Sequence, residues 1–166
     1  YVLAGSVDHG DSLGNRGTLK GGDVQWMTAG SGILHQEMPK GNAKGQMHGF
    51  QLWANLPGHL KMTQPRYQDV RAGDIPEIMD DDGTIVRVLV GEFGGKRGPV
   101  DGIAADPQYL DIFVPEGRKK TFKVDTRRER LATRVDLEDL STTGQVWRLY
   151  ADLAIEAAGP QQGRVE

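Results

Sequence analysis

An all-β fold over the first two-thirds of the chain, followed by a helical tail, is what this sequence predicts, and three observations carry that prediction. Twenty-three glycines and eight prolines break 166 residues into short apolar runs, the punctuation of brief strands joined by tight turns. The run Thr84-Ile85-Val86-Arg87-Val88-Leu89-Val90 is rich in β-branched residues and directly follows Asp82-Gly83, which marks a strand leaving a turn. Beyond Thr126 glycine becomes sparse. There Val146, Leu149, Tyr150, Leu153, Ala154 and Ala157 recur at three- and four-residue spacing, the period of an amphipathic helix.

Strands are expected over residues 1–4, 24–28, 32–37, 49–56, 84–90 and 109–114. The first opens the chain with Tyr1, Val2 and Leu3. The second leaves the Gly21-Gly22-Asp23 cluster, and the third leaves Gly30 and Gly32. The fourth alternates Phe50, Leu52 and Ala54 with other residues, the period of two that a half-buried strand requires. The fifth is the β-branched run above, and the sixth ends at Pro115-Glu116-Gly117. Residues 126–140 are highly charged and read as a helix or a linker, and residues 159–166 read as disordered. No internal repeat is present.

A chain of this length with 37% hydrophobic residues fits one ordinary domain, or one domain with a piece of another. The net charge of -3 and the pI near 5.8 provide no overall basic field, so direct nucleic-acid binding is disfavoured. No apolar run reaches eighteen residues, so no membrane partner is expected. The basic groups Arg118, Lys119, Lys120 and Arg127, Arg128, Arg130 read as solvated faces. Cysteine is absent, which removes disulfides, thiolate metal sites and a cysteine nucleophile together. Neither a phosphate loop of the Gly-x-x-x-x-Gly-Lys-Ser/Thr type nor a Gly-x-Ser-x-Gly elbow occurs.

Metal chemistry must therefore use carboxylates and the four histidines, His9, His35, His48 and His59. His35 and Glu37 lie two positions apart, so on a strand they share one face with Cα atoms roughly 6.6 Å apart. One ion could accept both. His9 reads as a polar hairpin residue beside Asp8 and Asp11. His48 reads as a structural residue or one that supports a ligand, and His59 as an exposed loop residue. Trp26, Met27, Phe50, Leu52 and Trp53 could line a pocket for a flat aromatic molecule, but core packing is the expectation for most of them.

Gly22-Asp23, Gln25-Trp26-Met27-Thr28-Ala29-Gly30 and Gly32-Ile33-Leu34-His35-Gln36-Glu37-Met38-Pro39 together resemble the second metal-binding motif of a cupin, and more narrowly that of the pirin family. The run His9-Gly10-Asp11-Ser12-Leu13-Gly14-Asn15 resembles that family's hairpin. His48-Gly49-Phe50-Gln51-Leu52-Trp53-Ala54-Asn55-Leu56-Pro57 resembles the strand after the site, and Tyr67-Gln68 and Asp74-Ile75-Pro76 also fit. The resemblance covers the chain to about Asp125. It implies a cupin-type β-sandwich or barrel, a double-stranded β-helix, as the first of two tandem barrels. The division it implies is a cupin domain over 1–105 lacking its first strands, the start of a second over 106–126, and a divergent, partly helical tail over 127–166.

The resemblance also implies one non-haem Fe(II), with His35 and Glu37 as metal ligands and Glu37 as the catalytic base. The family's other ligands, a His-x-His pair, would lie before Tyr1. The implied activity is a dioxygenase of flavonol substrates of the quercetin type, in the cytoplasm. The alternatives are a non-enzymatic iron-binding regulator acting through protein contacts, and an inactive fragment. Because the chain opens on Tyr1, it is expected to begin inside a longer reading frame or to be a processed product. A shifted frame near Thr126, or a fragmentary gene, would explain the divergence that follows. With its first strands missing, the sandwich is expected to leave a strand edge open.

Overall fold

The computed structural model describes residues 1–104, 106–122, 129–136 and 146–153, with side chains placed in the first two stretches. In chain order the strands are β1 (Val2–Ala4), β2 (Ser6–Asp11), β3 (Arg16–Lys20), β4 (Val24–Thr28), β5 (His35–Lys40), β6 (His48–Gly49) and β7 (Arg66–Val70). They continue with β8 (Glu77–Met79), β9 (Ile85–Val90), β10 (Glu92–Phe93), β11 (Lys96–Arg97), β12 (Gln108–Val114), β13 (Glu129–Asp136) and β14 (Val146–Leu153). Among the described residues helix is confined to two single-turn 3-10 segments, Gly58–Leu60 and Ala72–Asp74. None of these is long and apolar enough to cross a membrane.

The strands form a three-stranded sheet in the order β3-β2-β5, a five-stranded sheet in the order β13-β14-β12-β9-β8, and the pairs β4-β7, β1-β6 and β10-β11. Every one of these ladders is antiparallel. Among the described residues the sheets do not close into a barrel. β5 is an edge strand of its sheet, and its six residues are all exposed. Pro39 is tolerated there because an edge strand has ladder positions that need no N–H donor.

Two cores share strands β9 and β12. Leu89, Val90 and Tyr109 pack with Val24, Val70, Ile75 and Val100, while Val86, Val88, Leu110, Ile112 and Val114 form the second cluster. Alternation along β12 thus feeds both sides of one sheet. Asp111 is also buried; its Oδ2 accepts a hydrogen bond from the Tyr1 hydroxyl at 2.6 Å, and Arg87 donates to that hydroxyl at 2.6 Å. Burial pushes the Asp111 carboxyl up, partly offset by Tyr1 and Arg87.

The Gly22-Asp23 step that opens the motif has a structural task. Asp23 is 4% exposed and accepts the backbone N–H of Lys20 at 2.9 Å, the N–H of Ala72 at 2.8 Å and Arg71 Nη1 at 3.0 Å. It fastens the turn before β4 to the segment after β7. Gly22 has φ +91°, where side chains are strained, and an added Cβ would lie 2.8 Å from that of Ala72.

Four expectations change. The helix expected over 146–157 is instead the strand β14 from Val146 to Leu153, paired with β12 on one side and β13 on the other. Residues 154–157 and 159–166 lie outside the described residues. Within the charged segment, Glu129–Asp136 is strand β13, neither helix nor linker. The strand expected over 49–56 has a ladder only at Gly49, in β6. Phe50 and Leu52 nevertheless pack on the first core while Gln51 and Trp53 are exposed, so the period of two survives without a ladder. The strand expected over 32–37 begins three residues later, because Gly30 and Gly32 at φ +52° and +131° hold the chain in a loop.

Candidate functional site

β2 sets the frame of the site, because it is the central strand of its sheet, flanked by β3 and β5. The register opposes Val7 to Leu19 and Pro39, His9 to Gly17 and Glu37, and Asp11 to His35. Directly opposed residues of an antiparallel pair lie on one face. That face is therefore apolar at one end, where Val7 and Leu19 cluster with Val2. At its other end it is polar, with His9, Asp11, His35 and Glu37.

His35 and Glu37 thus lie on the same face of β5, as their spacing predicts. Both are exposed. Gln51 Nε2 donates to Glu37 Oε2 at 3.1 Å, and Trp53 Nε1 donates to Gln51 Oε1 at 3.4 Å, so two residues from the stretch after β6 steady the carboxylate. His35 lines an open depression of about 470 Å³ with His9, Asp11, Arg16 and Leu34. Asp11 itself is occupied by the β2–β3 turn, accepting from the N–H groups of Leu13 and Asn15 and from the Asn15 amide.

His9 departs most from expectation. It is not a polar hairpin residue: its side chain is 4% exposed and reaches across to β7. Its Nδ1 lies 2.6 Å from the Tyr67 hydroxyl and its Nε2 lies 3.3 Å from Asp69 Oδ2. The Gln25 amide of β4 donates to the same hydroxyl. Burial first, then the charge of Asp69, pushes the Tyr67 phenol well above the ordinary tyrosine range, with Asp11 and Glu37 adding to the effect. Gly17 makes room for this ring, since a Cβ there would lie 2.7 Å from His9 Nε2.

The remaining candidates separate cleanly. His48 sits in β6 against the Phe50 ring, centroids 5.3 Å apart. His59 is exposed in the 3-10 turn. Trp26, Phe50 and Leu52 pack on the first core. Trp53 does not join them and stands 83% exposed beside Gln51.

An imidazole and a carboxylate on one strand face are donors of the type a non-haem metal accepts. Their number is short: among the described residues no three histidine, aspartate or glutamate side chains converge in a way that could hold an ion. Two ligands leave most of a coordination sphere to water or to other donors. The residues present are a partial donor set.

Sequence reasoning did not find Gln25, Gln51, Asp69 or the buried state of His9. Tyr67 and Asp69 share a face only because residues 66–70 form a strand, and Arg-Tyr-Gln-Asp-Val shows no apolar alternation that would announce one.

An all-β arrangement of the described residues, with antiparallel sheets and a His-x-Glu pair on one face of an exposed edge strand, is of the cupin class. Comparison with known proteins narrows this. Residues 1–54 match the Pirin family model. The chain is 44% identical over 118 residues to a pirin-like protein of Caulobacter vibrioides, a match covering 70% of this chain and 42% of that protein. It is 45% identical over 117 residues to a pirin-like protein of Solanum lycopersicum, covering 70% of this chain and 39% of that one. Over about 70% of its length the chain is similar to members of the pirin family. Among solved structures, a quercetin 2,3-dioxygenase from Acinetobacter baumannii superposes with a TM-score of 0.70 at 34% identity, covering 92% of this chain and 58% of that one. The chain thus spans about two-fifths of the length of these curated relatives.

Proposed function

We propose that this chain carries part of the active site of a metal-dependent dioxygenase that acts on a flavonol-like phenol. The observation that carries the reading is the placement of His35 and Glu37 on one face of β5, beside an open depression and inside the matched motif. In this reading the metal is Fe(II), held by His35 and Glu37 together with donors outside the described residues. When bound it would supply the Lewis acidity and dioxygen reactivity that the side chains here lack.

What these residues contribute themselves is positioning and proton handling. The Gln51 amide holds one oxygen of Glu37 at 3.1 Å. The other oxygen is available to accept the proton of a phenolic hydroxyl, the work of a general base. Leu34 and Trp53, 80% and 83% exposed, offer apolar surface to a flat ring near the same carboxylate. A cytoplasmic location, a cupin domain over 1–105 and the opening of a second over 106–126 belong to the same reading.

The test is oxygen consumption on adding quercetin to iron-loaded protein. The reading expects uptake that falls at least about 100-fold in Glu37→Gln, which removes a metal ligand and a general base together. Iron bound without oxygen uptake for any flavonol would overturn it and favour the iron-binding regulator.

A further inference from the structure

Among the described residues β5 has a ladder only with β2, and its other edge is open. We propose that this chain pairs with a second copy of itself through that edge, antiparallel and centred on Gln36, so that each His35 opposes the partner's Glu37. The inference goes beyond the reading above and depends on no bound ion.

Backbone direction comes first. Asp11 N–H donates to Asn15 O at 3.0 Å, so Asp11 turns its backbone groups to the β3 side of β2. By alternation His9 and Val7 do the same. The residues of β5 that oppose them, His35, Glu37 and Pro39, are therefore in the pairs without hydrogen bonds to β2. Leu34 gives the same answer from the other strand. Its C=O accepts the Ser12 N–H at 2.8 Å and its N–H donates to Ser12 Oγ at 3.1 Å, so Leu34, Gln36 and Met38 face β2. His35 and Glu37 thus present their N–H and C=O groups at the open edge. Pro39 ends that row, because it has no N–H to offer.

Register follows from direction. Residues that face the edge can exchange hydrogen bonds only with residues that face the edge of a second strand. Centred on Gln36, both copies set His35 against the partner's Glu37, and every edge-facing N–H of the two residues finds a carbonyl. Centred on Glu37 or Met38, the pairing draws in Pro39, and the first of these also sets carboxylate against carboxylate. Centred on His35, it sets Glu37 against Ile33, in the loop before β5.

The side chains fit the same register. Directly opposed residues share a face, with Cβ atoms about 4.5–5.5 Å apart. One face places each imidazole beside a carboxylate of the other copy. On the other face Leu34 and Met38, 80% and 57% exposed in the single chain, oppose one another and cover apolar surface. Gln36 meets the partner's Gln36, amide to amide. The contact is self-complementary about a two-fold axis, so it closes as a pair and does not propagate. The paired sheet carries two imidazoles and two carboxylates on one face, where a single copy carries one of each.

The chain has no cysteine, so one introduced thiol per copy reports the register. In the proposed pairing the thiols of Gln36→Cys stand directly opposed, with Cα atoms about 4.5 Å apart, a span that a disulfide bridges. Those of Met38→Cys lie roughly 13 Å apart along the strands. Both positions are exposed, so neither change disturbs a core. Oxidation with diamide should cross-link Gln36→Cys at least about 10-fold faster than Met38→Cys at equal concentration. In the unmodified chain, amide hydrogen exchange should show protection at His35 and Glu37 that rises with protein concentration. Equal cross-linking of the two variants, or none in either, overturns the pairing. Protection that is absent or independent of concentration overturns it as well, the latter because a segment of the same chain would then cover the edge.

Discussion

At the scale of single residues, the loop before β9 gives a direct electrostatic prediction. Lys120 donates to Asp82 at 3.0 Å and also to Asp80, so a residue read from sequence as part of a solvated basic face clamps two carboxylates. The backbone N–H of Thr84, then Lys120, holds the Asp82 carboxyl down at about 2. Its ordinary value is about 3.9. A depressed carboxyl contributes stability that is fully present above the unfolded value and lost as pH falls through the folded one. The window is therefore roughly pH 4 down to 2. Carboxyl-detected NMR titration should find Asp82 titrating near 2, and Lys120→Ala should move both Asp80 and Asp82 upward. An unmoved Asp82 in that variant would assign the whole effect to Thr84.

Gly17 offers a second test at this scale. Its Cβ would meet His9 Nε2 at 2.7 Å, so Gly17→Ala must displace the ring or the strand. Overpacking of this kind costs about 1–3 kcal/mol. Chemical denaturation should show that loss, and a variant as stable as the parent would mean that the ring has other room.

At the scale of elements, β9 and β12 carry the cores and β5 carries the site. Leu89 is fully buried in the first core, and Leu89→Ala should cost about 2–5 kcal/mol in denaturant unfolding. The β5 edge behaves differently. Its six residues are exposed, with Met38 at 57%, and an open edge is a template for pairing with another strand. Light scattering should detect concentration-dependent association that Met38→Lys reduces, because lysine on an edge opposes pairing. Equal association in the variant would place the contact elsewhere.

The same two elements show where sequence was readable. β9 could be read because a β-branched run follows an Asp-Gly turn, and local chemistry alone sets that strand. The His35–Glu37 face could be read because period two needs no knowledge of partners. β14 could not be read from local pattern. Its apolar residues fit a helical period through Val146, Leu149, Tyr150 and Leu153, yet Trp147, Leu149, Ala151 and Leu153 also alternate with Arg148, Tyr150 and Asp152. A window of eight residues satisfies both periods. Pairing with β12 and β13 decides the matter, and pairing is a tertiary fact. The burial of His9 is hidden for the same reason, since it depends on β7 crossing its face.

At the scale of the whole molecule, the fold brings two donors to one place and leaves the rest of a coordination sphere to be supplied. The partial donor set and the open edge of the sheet occur on the same strand, β5. That coincidence makes metal affinity and sheet closure parts of one question.

The most direct test is a double-mutant cycle on Fe(II) affinity under anaerobic conditions, comparing the parent with His35→Ala, Glu37→Gln and the double variant. Two ligands of one ion act as a unit, so the losses must be non-additive. The account predicts that either single change removes most of the iron binding and that the second adds little. Additive losses, or affinity unchanged in either single variant, would contradict a shared metal on the face of β5.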